Sequence, residues 1–421
     1  MNKPASRAWW RKLGPGLITG AADDDPSGIA TYSQGGAQFG YAITWTVLLT
    51  YPLMVGIQLA SARIGRVTGQ GLTENFARIC PKWLVLVLVT LLVIANVINL
   101  GADLNAMADA ASLVTGTPPH LWALGFGLVS VVLQVFIPYA RYVSVLKWLT
   151  LSLLAYVGVA FCAHVNWADA LREAVYPSIH WSKAYVTTVV AILGTTISPY
   201  LFFWQAAQEV EEIRRVPADM ALRFAPEQSV SQLNRLKVDT YVGMGASNLI
   251  AFFMIVAASA TLHKQGIFNI ETTSQAALAL KPIAGNAAFG LFAAGVIGTG
   301  MLALPVLAGS AADAIASFFH LHKGLDRPLS KARAFYGILT AAMALGVLVS
   351  VIGINPIKAL YWCAVINAVI AVPIMVAVMV VASRPKLMGA LVLPMRWKCL
   401  GWAATATMAF AALAMAVSWL M

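Results

Sequence analysis

A chain of 421 residues with 60% hydrophobic side chains, 11% charged ones and a mean hydropathy of +0.77 is not a water-soluble globule, in which roughly 25% of residues are charged. It reads as an all-α polytopic membrane protein, one membrane domain over 1–421, with apolar length for about eleven spans of roughly 20 residues and none left for a soluble domain. The net charge of +11 does not call for nucleic acid as a partner, because the basic residues sit in short loops between apolar runs, where membrane topology accounts for them.

The first apolar run, 13–36, reads LGPGLITGAADDDPSGIATYSQGG and carries Asp23, Asp24 and Asp25 in its middle. Pro26 has no N–H and clashes with the preceding turn, so the helix breaks at Asp25-Pro26-Ser27-Gly28. Within a bilayer such a break survives only where protein or a wet cavity covers the freed backbone groups. An ionised Asp at that depth needs a cavity and a positive partner. A helix C-terminus, freed carbonyls and a carboxylate make an electronegative pocket suited to a cation. Asp25 is the prime ligand candidate. Asp23 and Asp24 fall on the N-terminal half, as lining of a wet crevice or as holders of the ion's waters. Gln34 and Gln38 lie beyond the break, placed to bond freed carbonyls.

The further runs are 41–62, 83–108, 120–138, 142–163, 184–208, 236–262, 286–319, 332–352, 356–383 and 398–420. With the N-terminus in the cytoplasm and the C-terminus outside, only Arg172, Lys183, Lys264, Lys281 and Lys358 of the 28 Lys and Arg residues fall on the outer side. So strong a bias supports both the span list and the orientation. The third run carries Asn96, Asn99 and Asp103 on one helical face, an interior polar stripe suited to interhelical hydrogen bonds.

The sixth run repeats the oddity of the first. In YVTTVVAILGTTISPYLFFWQAAQEVEE the break Ser198-Pro199-Tyr200 again falls near mid-span. Five spans separate the two breaks, so the two helices cross in opposite senses. That is the pattern of two inverted five-helix repeats, about 13–163 and 184–383, with an extra helix at 398–420 and the substrate site between the broken helices.

Beyond the sixth run, Glu209, Glu211 and Glu212 read as a solvated acidic mouth beside Arg214 and Arg215. Asp313 is expected to pair with Lys331 or Arg333, and Asn367 to reach the site as an outer contact. The six histidines fall at or near span ends, which disfavours a His-ligated zinc carrier. Cys80, Cys162, Cys363 and Cys399 show no disulfide or zinc spacing. There is no cleavable leader and no N-x-S/T acceptor, in keeping with the plasma membrane of a bacterium, its inner membrane. No nucleophile constellation or phosphate loop supports an enzyme, and nothing marks a required protein partner beyond the lipid bilayer.

The segments GPGLITGAADDDPSGIATYSQGGAQFGY and GTTISPYLFFW, with LFAAGVIGTGMLALPVLAG in the eighth run, resemble the NRAMP divalent-metal transporters over most of the chain. The resemblance implies the LeuT-like fold of the APC superfamily, alternating access, divalent metal ions as cargo and no cofactor, with H⁺ as a second candidate ion. The family's Asp-Pro-Gly-Asn appears as Asp25-Pro26-Ser27-Gly28, so the metal-binding Asp is kept and Gly28 stands for the Asn ligand. Its Ala-x-x-Met-Pro-His appears as Thr195-x-x-Ser198-Pro199-Tyr200. The implied carbonyl ligand comes from Thr195, the thioether becomes the Ser198 hydroxyl, and the His becomes Tyr200. The acidic proton-pathway pair of the third helix becomes Val93 and Asn96.

An all-oxygen, enlarged site loses the soft donor that favours Mn and Fe and suits a partly hydrated Mg²⁺. In this the chain is similar to the NRAMP-related magnesium transporters. The expectation is an importer of Mg²⁺ and/or Mn²⁺ with proton coupling weak or absent, any proton route passing through Asp23, Asp24 or Asp103. The alternatives are a proton-coupled Mn²⁺/Fe²⁺ symporter, a cation-coupled amino-acid carrier of the same fold, and a non-transporting receptor.

Overall fold

The computed structural model describes residues 15–137 and 149–420. The N-terminal basic residues Lys3, Arg7, Arg11 and Lys12, with Arg141, Lys147 and the first part of the fifth expected span, lie outside the described residues. The main helices are α1 (Pro15–Asp23), α2 (Pro26–Phe39), α3 (Trp45–Thr68), α4 (Lys82–Thr115), α5 (Pro119–Phe136), α6 (Leu154–Cys162) and α7 (Trp167–Val175). They continue with α8 (Lys183–Thr196), α9 (Pro199–Arg215), α10 (Ser229–Thr261), α11 (Ala288–Phe318), α12 (Arg333–Ser350), α13 (Pro356–Ser383) and α14 (Met395–Leu420). No strand occurs among the described residues.

Both expected breaks are present, and for the expected reason. Pro26 opens α2 and cannot donate to Ala22, so α1 stops and the Asp25 side chain caps α2 by accepting from the Gly28 N–H. Pro199 opens α9 and withholds the same bond from Thr195, and α8 stops at Thr196. Nine helices, or joined helical stretches, among the described residues are long and apolar enough to cross a membrane. The halves of the broken first helix are each too short to count alone. The described part of the fifth run ends with α6 at Cys162, where the run was expected to end, and the chain then turns by 113° into the short helix α7.

The two broken helices run antiparallel. Residues late in one meet residues early in the other: Thr19 with Gln205, Asp25 with Tyr200, Tyr32 with Thr196, and Phe39 with Tyr185. Between helices in lipid the hydrophobic effect supplies little drive, so close backbone approach carries the packing. At Gly20 a Cβ would run into the backbone of Gly243 on α10, and at Gly194 into the Ala364 carbonyl on α13. These two glycines set how near the breaks come to their neighbours. Large apolar side chains such as Leu128, Phe136, Leu348 and Phe410 are exposed on the outer helices, as a lipid-facing surface requires.

The loops gather at two ends, as alternating crossings demand. At one end Arg66 pairs with Asp219, Arg63 donates to Leu391 O, Arg223 to Leu387 O, and Arg215 binds Asp326. This basic end collects the arginine-rich loops. At the other end Gln34 reaches residues 268–270, Asn355 donates to Glu271 O and Asn105 to Ile354 O. Gln34 therefore braces a loop rather than the freed carbonyls of its own break.

Two expectations at the basic end need correction. Asp313 pairs with Lys323 at 3.1 Å, not with Lys331 or Arg333, because the turn after α11 folds Lys323 back between Asp313 and Glu74. Glu209 and Glu211 are buried rather than solvated: Glu209 meets Arg235 at 2.6 Å, and Glu211 accepts the Leu325 N–H at 2.8 Å. Glu209→Ala strands the Arg235 guanidinium and should destabilise the fold by about 3–5 kcal/mol. Glu212→Ala, at a half-exposed pair with Arg215, should change little. Thermal unfolding in detergent compares them directly.

Candidate metal centre

Four carboxylates are enclosed near the breaks: Asp23, Asp24, Asp25 and Asp103, none more than 4% exposed. Asp25 sits in the gap between α1 and α2. Its Oδ1 accepts the Gly28 N–H at 2.8 Å. Its Oδ2 accepts from the Tyr200 hydroxyl at 3.0 Å and from the Asn99 amide at 3.3 Å. Tyr200 also lies 3.5 Å from the Ala22 carbonyl that Pro26 frees. Asp23 and Asp24 share one donor, the Ser247 hydroxyl, at 2.6 and 3.1 Å. Both oxygens of Asp103 lack a hydrogen-bond partner among the described residues.

The facing break supplies oxygen. Thr195 carries the carbonyl left without its helical N–H. The Ser198 hydroxyl donates toward it at 2.8 Å and toward Gly194 O at 2.7 Å. Gly28 places the two breaks in register: a Cβ there would lie 3.6 Å from the Thr195 hydroxyl and 3.3 Å from the Tyr32 ring. Two C-terminal helix ends, α1 and α8, thus point their partial negative charge at one spot, beside the Asp25 carboxylate.

Asp25, Gly28, Thr195, Ser198 and Tyr200 are therefore assembled between Pro26 and Pro199. Asn96 is not part of that group; it donates to Leu307 O at 2.9 Å and Ser310 at 2.8 Å, joining α4 to α11. Asn367 is buried on α13 with its Oδ1 unpartnered among the described residues. Asn99, Ser247 and Cys363 are the residues that sequence reading passed over as site groups. The three- and four-residue spacing of Asn96, Asn99 and Asp103 marks their common face, but only packing reveals that Asn99 alone reaches Asp25. The Cys363 thiol donates to Asn99 Oδ1 at 2.9 Å.

Among the described residues none of the four carboxylates is in a salt bridge, and the hydrogen-bond donors found there are neutral: Ser247, Gly28, Tyr200 and Asn99. Anionic oxygens enclosed without a cation are costly, and that deficit is what a divalent ion relieves. Among the described residues no three Asp, Glu, His or Cys side chains converge on one point, so an ion here relies on carbonyl, hydroxyl or amide oxygens as well.

A cavity of about 600 Å³ opens at the end away from the basic loops, lined by Gln34, Gln38, Glu271, Lys358, Tyr361 and Trp419 among others. Below it the Thr188–Tyr361 and Tyr32–Thr196 contacts, each 2.9 Å, close the way to Asp25. Toward the basic end Thr19 donates to Gln205 at 2.5 Å and the Ser247 bonds close the other side. Asp25, Thr195 and Ser198 are each no more than 2% exposed, so the centre is enclosed.

Residues 16–418 match the family model described as natural resistance-associated macrophage protein-like. The chain belongs to the Nramp family. It is 27% identical over 93% of its length to 86% of a protein from Deinococcus radiodurans called divalent metal cation transporter MntH. A protein of the same name from Acidiphilium cryptum is 28% identical, with 93% of this chain and 87% of that one covered. Among solved structures, the Eremococcus coleocola manganese transporter bound to an aromatic bis-isothiourea compound superposes with a TM-score of 0.73 at 16% identity, covering 98% of this chain and 88% of that one. Mhp1, a nucleobase-cation-symport-1 family transporter, superposes at 0.58 and 14% identity, covering 96% and 92%. The Nramp chain thus has the LeuT-like fold, as its paired broken helices require.

Proposed function

We propose that this Nramp protein imports divalent metal cations across the plasma membrane, probing both sides by alternating access, with Asp25 and the Thr195 carbonyl as the core of the ion site. The observation that carries this reading is the group of four enclosed carboxylates with no basic partner among the described residues, one of them lodged in the gap of a broken helix. The names of the curated relatives agree with it, and relatives of that kind are carriers, not enzymes; the ion is cargo rather than cofactor. The repeats run about 13–163 and 184–383, with 398–420 as the added helix, the N-terminus in the cytoplasm, the C-terminus outside and a bacterial inner membrane as the setting.

Ser198 and Gly28 make the site at the breaks all-oxygen, which favours Mg²⁺ alongside Mn²⁺. Proton coupling is weak or absent on this reading: Asn96 is committed to α11, and Tyr200 replaces a titrating His with a hydroxyl. An amino-acid carrier is disfavoured on a specific ground. It needs free N–H groups at a half-helix start for the substrate carboxylate, and the Gly28 N–H of α2 is already taken by Asp25. The proton-coupled Mn²⁺/Fe²⁺ symporter remains the second reading, favoured by the manganese transporters among similar proteins.

Purified protein in liposomes with an internal pH dye separates these readings. The expected result is influx of Mg²⁺ and Mn²⁺ with a flat pH trace. Acidification in step with Mn²⁺ influx establishes the symporter instead, and the absence of any divalent flux overturns the proposal.

A further inference from the structure

Asp103 is the one of the four enclosed carboxylates near the breaks that neither break explains. It lies on α4, a turn beyond Asn99 on the same face, and is wholly enclosed. Both its oxygens lack a partner among the described residues, a costly state for a group that can carry a full charge. The Cys363 thiol on α13 and the Asp25 carboxylate are within electrostatic range of it. Asn99 stands between the groups with its amide oriented: Nδ2 toward Asp25 at 3.3 Å, Oδ1 accepting from Cys363 Sγ at 2.9 Å. The amide oxygen therefore faces the sulfur while the amide nitrogen faces Asp25.

We infer that Asp103, Asn99 Oδ1 and Cys363 Sγ form a second cation subsite, distinct from the Asp25–Thr195 centre, that takes a divalent transition-metal ion of borderline softness. Asp103 supplies the charge, Asn99 a neutral oxygen and Cys363 the only soft donor. This set contains two Asp/Cys groups and one amide, in keeping with the lack of any three-group cluster among the described residues. Its place along α4 sets it toward the cavity end of the molecule. The helix runs from the basic end toward Asn105, which is tied to Ile354 at the end where the 600 Å³ cavity opens. Asp103 is one turn nearer that cavity than Asn99. The subsite therefore lies beside the Asp25 centre, on the cavity side of Asn99 along α4.

A thiol donor has consequences that an all-oxygen site lacks. Sulfur binds Mn²⁺, Fe²⁺ and above all Cd²⁺ in preference to Mg²⁺. The subsite thus adds discrimination beside a centre that itself tolerates Mg²⁺. The inference rests on the divalent-cation reading only for the class of ion, and its test does not depend on transport.

Cd²⁺ is the probe, added to purified full-length protein in which Cys80, Cys162 and Cys399 are Ser. The expected result is a sulfur-to-cadmium charge-transfer band in the ultraviolet, lost in Cys363→Ser. In Asp103→Asn, Cd²⁺ affinity should fall by roughly tenfold or more. The band should persist in Asp25→Asn, which disables the other centre. Absence of a band in the parent protein overturns the inference. So does a band that survives Asp103→Asn at full affinity, or one lost in Asp25→Asn, since the thiol then serves the Asp25 centre alone. Asn99→Ala reads the same outcome should Asp103→Asn fail to assemble: weakened Cd²⁺ binding supports the subsite and unchanged binding overturns it.

Discussion

Asp25→Asn should abolish metal uptake while the protein remains folded and monodisperse. The side chain has two jobs that this substitution separates. As the cap of α2 it accepts the Gly28 N–H at 2.8 Å, and an Asn oxygen does this as well as a carboxylate. As the charge in the helix gap it is not replaced by Ser198, Tyr200 or Gly28, which are neutral, while Asp23 and Asp24 are turned to Ser247. Removing one partner of a buried ion pair costs about 3–5 kcal/mol, and tenfold corresponds to about 1.4 kcal/mol. Uptake should therefore fall by roughly a hundredfold or more. Asp25→Ala loses the cap too, at a further cost of about 1 kcal/mol in stability. Radiotracer uptake in liposomes, with thermal unfolding alongside, reads both effects. Uptake retained in Asp25→Asn means that the charge at the break is not the ion's partner.

Gly194→Ala should be the most disruptive glycine-to-alanine change among the described residues. The added Cβ would overlap the Ala364 carbonyl oxygen and the Ala368 methyl of α13. Neither neighbour is the end of a flexible side chain, so α8 and α13 must separate. Overpacking of this kind costs about 1–3 kcal/mol, occasionally more. Here it also shifts Thr195, the next residue, against Asp25. Loss of both thermal stability and transport is expected. Gly125→Ala, which meets open space on the exposed α5, should be neutral or slightly stabilising. Equal behaviour of the two variants would show that the α8–α13 contact does not position the site.

Much of this was legible in the sequence because proline acts locally. Pro26 and Pro199 break their helices whatever surrounds them, and the parity of the intervening spans then makes the broken pair antiparallel. Lys and Arg counts located the basic end for a similar reason, since lipid excludes charge regardless of detail. Partner choice was not legible. Asp313 was expected to meet Lys331 or Arg333 and instead meets Lys323, because the path of the turn after α11 is set by packing. Glu209 looked solvated at the end of an amphipathic segment, yet Arg235 of α10 covers it. Asn99 and Cys363 are 264 positions apart. Nothing in either local pattern announces that they touch. The short helix α7 after the fifth run was not legible, because apolar length alone cannot report the 113° turn that leads into it.

The most direct test is an anomalous-scattering map from crystals of this protein grown with Mn²⁺. The predicted result is a peak in the gap between α1 and α2, with an Asp25 carboxylate oxygen and the Thr195 carbonyl both within about 2.0–2.6 Å of it, the range of metal–oxygen bonds to hard cations. A peak bound by neither group, or continuous helices running through Pro26 and Pro199, would contradict it.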